Sequence, residues 1–502
     1  MRTKKSVINI STAIISQFIL IILGFISRKV MIDSVGVEYL GINGLMSNIL
    51  VILSLAESGM GAAMVYALYE PLAENNIFKI QALMKFYKIV YRGLALLTAL
   101  IGLSILPFLN LLIKGNTVDN SVTIYLMFLF SSVSSYLYSY KISMNNADQN
   151  KYIATIFNTA TQVIVLIAKI IILYVTKNYI LFLSIDIGST LLKNIIFSNM
   201  MDKRYPYLKE KTSEKLDNDT KNILYTNIKS LFFNKLGYII SISSDNLVIS
   251  SMISVATVGL YSNYTTLTSA ASGFVTIFIA NITASLGNLI AKESKEKVYE
   301  IFKVSSLINF WLYGFSFICL FCLSQPFIAV WLGEEYLMRE IVVFLIVFIF
   351  LMYGLMEPIE AVKNAAGLYK PDKYVPLIAA IVNMIISILL VKPFGICGVF
   401  LGTIISTLSF SFWIRPIIVY KIIFKENCCK YFIDIVLKFL SIFLVAFLCY
   451  YLGELLFKEY NITNLIGRGV ICIITPNILF FVTMRKSKEF KYLVNIINVT
   501  IL

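Results

Sequence analysis

The sequence predicts an all-α integral membrane protein with about 14 transmembrane helices. Three observations carry that expectation. The 502 residues are 58% hydrophobic and only 14% charged, with a mean hydropathy of +0.82. A soluble domain carries roughly 25% charged residues, because a core buried in water needs a charged outside. Apolar runs of about 20 residues, the length needed to cross the hydrocarbon, recur along the whole chain. Lysine and arginine cluster between these runs. The composition excludes an ordinary soluble enzyme, a disordered chain and a disulfide-stapled secreted module.

Taken in order, the predicted spans are 7–27, 39–69, 89–113, 121–143, 153–175, 179–200, 231–253, 257–290, 302–331, 340–363, 374–392, 395–424, 432–457 and 464–484. The first is read as a retained helix. Its apolar run is too long for a signal peptide, and no small-residue cleavage site follows before Arg28-Lys29. The second and eighth are too long for a straight crossing, so each is expected to kink or to extend along the interface.

With this count both termini share one side. Segments on that side, Arg2–Lys5, Lys79–Lys88, Lys141–Lys151, Lys203–Lys235, Lys292–Lys303, Lys363–Lys373, Lys421–Lys430 and Arg485–Lys491, hold about 30 Lys/Arg against about 8 in the alternate loops. The positive-inside rule therefore places both ends in the cytoplasm. Most of the net charge of +15 is topology by this reading, and no nucleic-acid partner is expected. The longest polar stretch, Asp202 to Lys229, is too short for a catalytic domain, and divides the chain into six spans and eight.

A short echo accompanies that division. Val37-Glu38-Tyr39-Leu40-Gly41-Ile42 and Val255-Ala256-Thr257-Val258-Gly259-Leu260 share Val-x-x-x-Gly-aliphatic, each opening a long polar-striped helix. Two parallel six-helix repeats would run from 1–200 and 231–424, joined by a linker at 201–230 and followed by a helix pair and tail at 425–502.

Polar groups are costly in lipid, so their alignment is informative. In the second span Asn43, Ser47, Ser54, Glu57, Ser58 and Gly61 fall within roughly 100° of arc. In the eighth, Ser262, Thr266, Ser269, Gly273, Thr276, Thr283 and Gly287 do so, and in the first Asn9, Thr12, Ser16 and Ser27 share a narrower stripe. The small residues alone would suit close helix packing. Glu57 and the asparagines are poor packing residues and point to a water-filled cavity. Ionisable groups in or beside spans are Arg28, Glu57, Arg92, Lys169, Asp186, Lys193, Asp245, Glu357, Glu360 and Arg415. Arg92, Lys193 and Arg415 can snorkel to the interface, and Glu357 is read as interfacial. Asp186 and Lys193 share a face but lie two turns apart, too far to pair directly. Lys169 and Asp245 are surrounded by apolar sequence.

Signatures of covalent chemistry are sparse. The chain has no histidine. Cys319 and Cys322 form a C-x-x-C inside an apolar helix, where they read as small hydrophobes without further metal ligands. Asp217-Asn218-Asp219 is read as a solvated loop, and Gly59-Met60-Gly61 lacks the rest of a phosphate-binding fingerprint. No metal, cofactor or catalytic residue is expected.

Several strings resemble the polysaccharide-transporter (Wzx-type) flippases of the multidrug/oligosaccharidyl-lipid/polysaccharide exporter superfamily. They are Gly24-Phe25-x-x-Arg28, Tyr39-Leu40-Gly41-Ile42-Asn43-Gly44-Leu45 and Leu53-Ser54-Leu55-Ala56-Glu57-Ser58-Gly59-Met60-Gly61, then Tyr69-Glu70-Pro71-Leu72-Ala73. Asn145-Asn146-Ala147-Asp148-Gln149-Asn150-Lys151-Tyr152 and Lys203-Arg204-Tyr205-Pro206-Tyr207-Leu208 follow. Asp245-Asn246-Leu247-Val248-Ile249-Ser250 and Val258-Gly259-Leu260-Tyr261-Ser262-Asn263-Tyr264 extend the likeness into the second half, so that it covers nearly the whole chain.

The resemblance implies two MATE-like six-helix lobes around a central cavity, with two C-terminal helices. It further implies transfer of undecaprenyl-pyrophosphate-linked oligosaccharide across the bacterial cytoplasmic membrane, for capsule, O-antigen or exopolysaccharide. A proton gradient, a sodium gradient or the membrane potential would be the alternative drives. Arg28 matches a cavity arginine of related lipid II flippases, whereas Lys29 stands where those relatives often carry Asp. The candidate cavity residues are Arg28, Asn43, Ser47, Glu57, Lys169, Asp245, Asn263 and Thr266. Cations would hold the diphosphate, and neutral polar groups would bond sugar hydroxyls. The rival functions are a lipid II flippase and a drug or cation antiporter of the same superfamily. A membrane polymerase or ligase would need a large outside loop with catalytic residues.

Overall fold

The computed structural model describes residues 2–54, 74–113, 120–147, 151–209, 243–292, 294–366 and 371–501, with isolated positions between them. Glu57, Gly59-Met60-Gly61 and Asp217-Asn218-Asp219 lie outside the described residues. The regular elements are all helical among the described residues, as the composition predicts. They are α1 (Arg2–Val35), α2 (Val37–Leu53), α3 (Ile77–Ile105), α4 (Ser121–Ala147), α5 (Lys151–Thr176) and α6 (Tyr179–Arg204). After them come α7 (Val255–Lys292), α8 (Lys295–Trp331), α9 (Glu340–Ala365), α10 (Val375–Phe394), α11 (Ile396–Ser409) and α12 (Ser411–Val419). The last three are α13 (Cys429–Leu456), α14 (Ile462–Met484) and α15 (Lys488–Ile501). Eleven candidate spans among the described residues are long and apolar enough to cross a membrane, which makes this a multi-pass membrane protein.

The chain forms two compact units, Met1–Gly259 with Pro376–Ala380, and Leu260–Val375 with Ile381–Leu502. In the first, α1 packs on α5, α3 on α4, and α6 on both α4 and α5. The charged segment 79–88, placed between spans by hydropathy, instead forms the early turns of α3, so the predicted span 89–113 becomes Ile77–Phe108. Asn76 caps this helix by accepting from the Lys79 amide at 3.1 Å. Ile80, Leu83, Met84 and Tyr87 bury at helical spacing, while Lys85 and Lys88 stay exposed. Amphipathic packing thus carries the helix beyond the run that hydropathy alone detects.

The sequence echo has a structural counterpart inside this first unit. The start of α2 crosses the start of α7, so that Gly41 faces the Val255 carbonyl and Gly259 faces the Val37 carbonyl. A Cβ at Gly41 would stand 2.9 Å from Val255 Cγ1, and one at Gly259 would stand 2.8 Å from Val37 Cγ2. Only glycine lets the two backbones meet this closely.

In the second unit α8 packs on α9, α13 and α14. The predicted span 395–424 is not one regular helix. It breaks at Phe410 (φ −125°, ψ −72°) between α11 and α12, then ends in a π-helical turn at Tyr420–Phe424. Within α8, Cys319 Sγ lies 4.0 Å from the Cys472 carbonyl oxygen and Cys322 Sγ 3.8 Å from that of Ala446, so both thiols face the C-terminal helix pair. That pair is clamped by Arg468, which donates to Glu454 at 2.7 Å and through Nε to the Phe457 carbonyl at 2.9 Å.

Candidate functional site

The helical hairpin of α5 and α6 turns on two residues. Lys177 adopts a left-handed backbone (φ 50°), and the Asn178 side chain caps α6 by accepting from the Ile180 and Leu181 amides at 2.9 and 3.2 Å. Lys169 lies eight residues before Lys177 and Asp186 eight residues after Asn178. Both therefore sit about 12 Å from the turn, at the same depth on facing helices.

They meet there: Lys169 Nζ is 3.1 Å from Asp186 Oδ1. The ammonium also stands over the Phe182 ring, 4.2 Å from its centroid. The two ends of the pair differ in access, the lysine side chain being 12% exposed and the aspartate 50%. The lysine is covered by helix and ring, while the carboxylate looks into open space.

That space is a cavity of about 370 Å³ lined by Leu20 of α1 with residues of α5 and α6. Thr161, Val165 and Lys169 line it from α5 at four-residue spacing, with Gln162 beside them. Asp186, Ser189, Thr190 and Lys193 continue along α6. On the remaining face of α5, Ile164, Ile167 and Ile171 are exposed, as suits a lipid-facing stripe. Lys193, assigned from sequence to snorkelling, lines the cavity instead, two turns along the helix from Asp186. It makes no ion pair among the described residues. With Lys169 matched by Asp186, Lys193 leaves the cavity cationic.

The other sequence candidates are placed as follows. Asn43 on α2 accepts from the Tyr179 hydroxyl at 3.1 Å. Tyr179 stacks on Phe182 with centroids 5.6 Å apart, and so connects Asn43 to the ring beneath Lys169. Ser47 is exposed on α2, and Arg28 is partly buried near the end of α1. Asp245 is 8% exposed, in a helical stretch at 243–252. Asn263 on α7 is fully buried, and Thr266 turns its hydroxyl back to the Ser262 carbonyl at 2.8 Å. The structure thus connects Asn43 and Lys169 through aromatic side chains. It adds Asp186, Lys193, Thr161, Gln162, Ser189 and Thr190 to the sequence candidates. Equal spacing from the Thr176-Lys177-Asn178 turn was the available signal for the Lys169–Asp186 pair.

A second charged cluster lies in the other unit, at the end of α9. Lys363 Nζ is 2.6 Å from Asp372 Oδ2 and 3.1 Å from Glu360, and Arg415 of α12 pairs with Glu360. Arg415, expected to snorkel, is held in this network with its side chain 18% exposed. The Asp372 side chain is fully buried, and its Oδ1 has no hydrogen-bond partner among the described residues. In these ion pairs two cations meet two anions, and the cluster ties the loop before α10 to α9 and α12.

Among the described residues the architecture is all helical, in two compact units. More particularly, it is the fold shared by MATE transporters and a lipid II flippase. The lipid II flippase MurJ in an inward closed conformation matches with a TM-score of 0.63 and 16% identity, over 94% of this chain and 98% of its own. A point mutant of the Vibrio cholerae MATE transporter VcmN matches with a TM-score of 0.57 and 13% identity, over 83% of this chain and 98% of its own. The MATE multidrug transporter DinF-BH matches with a TM-score of 0.58 and 14% identity, over 83% and 96%. No protein-family model and no curated protein sequence matches the chain.

Proposed function

We propose that this protein is a flippase. It would move undecaprenyl-pyrophosphate-linked oligosaccharide units by alternating access from the cytoplasmic to the outer leaflet of a bacterial cytoplasmic membrane, with both termini cytoplasmic. The observation that carries this reading is the charge of the α5–α6 cavity. A sugar-diphosphate headgroup cannot cross hydrocarbon, whereas its polyprenyl tail can remain in lipid. Lys193 supplies an unmatched cation for the diphosphate, and Thr161, Gln162, Ser189 and Thr190 supply hydrogen bonds to sugar hydroxyls. A drug or cation antiporter would want a free carboxylate, and Asp186 is matched by Lys169. The fold likeness to MurJ, which extends over more of this chain than that to the MATE proteins, fits a lipid-linked substrate. Within the first unit, Arg28, Asn43 and Ser47 are the further sequence candidates we propose for headgroup contacts. Flipping makes and breaks no covalent bond, so the function needs no nucleophile or cofactor.

The test is transfer of a fluorescent polyprenyl-diphosphate saccharide by purified protein in liposomes. Lys193→Ala is expected to slow transfer about tenfold at unchanged yield, the effect of losing one charge-assisted hydrogen bond. Unchanged transfer would remove the cavity from the substrate path. A transfer rate that falls equally for a lipid without the diphosphate would show that Lys193 does not read that group.

A further inference from the structure

A larger cavity, about 730 Å³, opens at one end of the second unit. It is bounded by the start of α8, the π-helical turn after α12, the start of α13 and the end of α14. The segments 294–303, 421–438 and 485–491 meet at this end, with eleven Lys/Arg against five Asp/Glu. By the positive-inside rule this end faces the cytoplasm.

The cavity has an apolar wall and a charged mouth, and among its lining residues Lys303, Lys430 and Lys438 outnumber Asp434 and Glu489. Lys303 and Lys430 are exposed at the mouth, and neither has a carboxylate partner among the described residues. Lys303 lies over the Tyr299 ring, 4.5 Å from its centroid. Lys438, deeper on α13, is already engaged by Asp434 at 2.7 Å and Ser306 at 2.8 Å. Beyond it Leu437, Val445, Leu479 and Phe480 carry the wall along α13 and α14, away from the charged end. Leu437 is 59% exposed.

One polar atom inside is unsatisfied. Tyr431 lines the cavity, is 6% exposed, and its hydroxyl has no hydrogen-bond partner among the described residues. A buried hydroxyl without a partner is destabilising. Lys303, Lys430 and Tyr431 line the same cavity, so an acceptor bound there would relieve that cost.

The combination points to one class of ligand. Two unmatched lysines and a waiting hydroxyl suit a phosphate oxygen, and the apolar wall suits a hydrocarbon chain attached to it. A soluble phosphate would use the mouth and leave the wall wet. The helix α15 adds a roof: Phe490 stacks on Trp311 at 6.2 Å, and Tyr492 faces Lys297 at 5.0 Å, so the helix lies back against α8. Such a short polar-and-apolar helix after the last span suits the membrane interface.

We infer that this cavity is a binding site for an anionic phospholipid of the cytoplasmic leaflet, its phosphate held by Lys303, Lys430 and Tyr431 and one acyl chain lying against α13 and α14. The site is separate from the α5–α6 cavity and does not depend on what that cavity transports.

The experiment uses the full chain in detergent, with the thermal unfolding midpoint read against added lipid. Phosphatidylglycerol should raise the midpoint, while phosphatidylcholine with the same acyl chains and inorganic phosphate should leave it unchanged. Loss of one lysine near an anionic headgroup weakens binding roughly fivefold. The variant with both Lys303→Ala and Lys430→Ala should therefore need about 25-fold more phosphatidylglycerol for the same rise, with its midpoint in phosphatidylcholine unchanged. Tyr431→Phe should also weaken the response to phosphatidylglycerol. An equal response to phosphatidylcholine would overturn the headgroup assignment. A rise with inorganic phosphate alone would assign the mouth to a soluble anion and overturn the lipid site. A full phosphatidylglycerol response in the double-lysine variant, folded as judged by its midpoint, would place the lipid elsewhere.

Discussion

Replacing Gly41 by alanine tests the backbone crossing of α2 and α7. The new Cβ would fall 2.9 Å from Val255 Cγ1 and nearer still to the Val255 carbonyl oxygen. A side chain could rotate away, but a carbonyl within a helix cannot, so one helix must shift. Overpacking of this kind costs about 1–3 kcal/mol. Alanine offsets part of it, since it favours helix over glycine by about 1 kcal/mol. A net loss of up to roughly 2 kcal/mol is expected. Gly44, one turn along α2, is the internal control. There the nearest atom to a new Cβ is Val258 Cγ1 at 3.6 Å, an ordinary contact, so Gly44→Ala should be neutral or stabilising by up to about 1 kcal/mol. The unfolding midpoint, followed by circular dichroism in detergent, should fall for Gly41→Ala and hold or rise for Gly44→Ala. The scale is roughly 2–4 °C per kcal/mol for a unit of this size. Gly259→Ala should resemble Gly41→Ala. The double variant should lose less than the two single losses combined, because the first methyl already separates the helices. Equal midpoints for Gly41→Ala and Gly44→Ala would refute the close approach, and strict additivity would refute the shared crossing.

Three further outcomes are expected. Lys363→Met should destabilise the protein by about 3–5 kcal/mol, since Asp372 would remain buried with only Arg415 to offset it; a fall in unfolding midpoint and in membrane yield measures this. Asn178→Ala should cost about 1 kcal/mol through loss of the α6 cap, and Asn178→Asp, which retains the acceptor, should restore the unfolding midpoint. A single cysteine at Asn218, with native cysteines removed, should resist an impermeant thiol reagent in intact cells, and ready labelling there would reverse the proposed orientation.

How much was legible before the structure depends on whether a property is local or shared between distant segments. Hydropathy acts over about 20 residues, so the fold class and most spans could be read directly from the chain. The Val-x-x-x-Gly echo was also visible, because a close backbone crossing leaves glycines at fixed offsets. The start of α3 was not, since its lysines lower the local hydropathy although its buried face is continuous. Side-chain partnership was hardest to read. Asp186 shares a helix face with Lys193, while its partner Lys169 lies across a hairpin.

The sequence by itself determined that the chain lives in lipid, that it is helical, and where its charges concentrate, because water and hydrocarbon sort residues by type regardless of partners. Only the tertiary structure decided what each buried charge faces. Lys169, Lys193, Lys363 and Arg415 are all cations in or beside apolar runs. Yet Lys169 meets a carboxylate over a ring, Lys363 and Arg415 join a neutral cluster, and Lys193 lines an open cavity. The cost of a charge in lipid is set by groups within a few ångströms, and helix packing brings those groups from positions that sequence distance does not reveal.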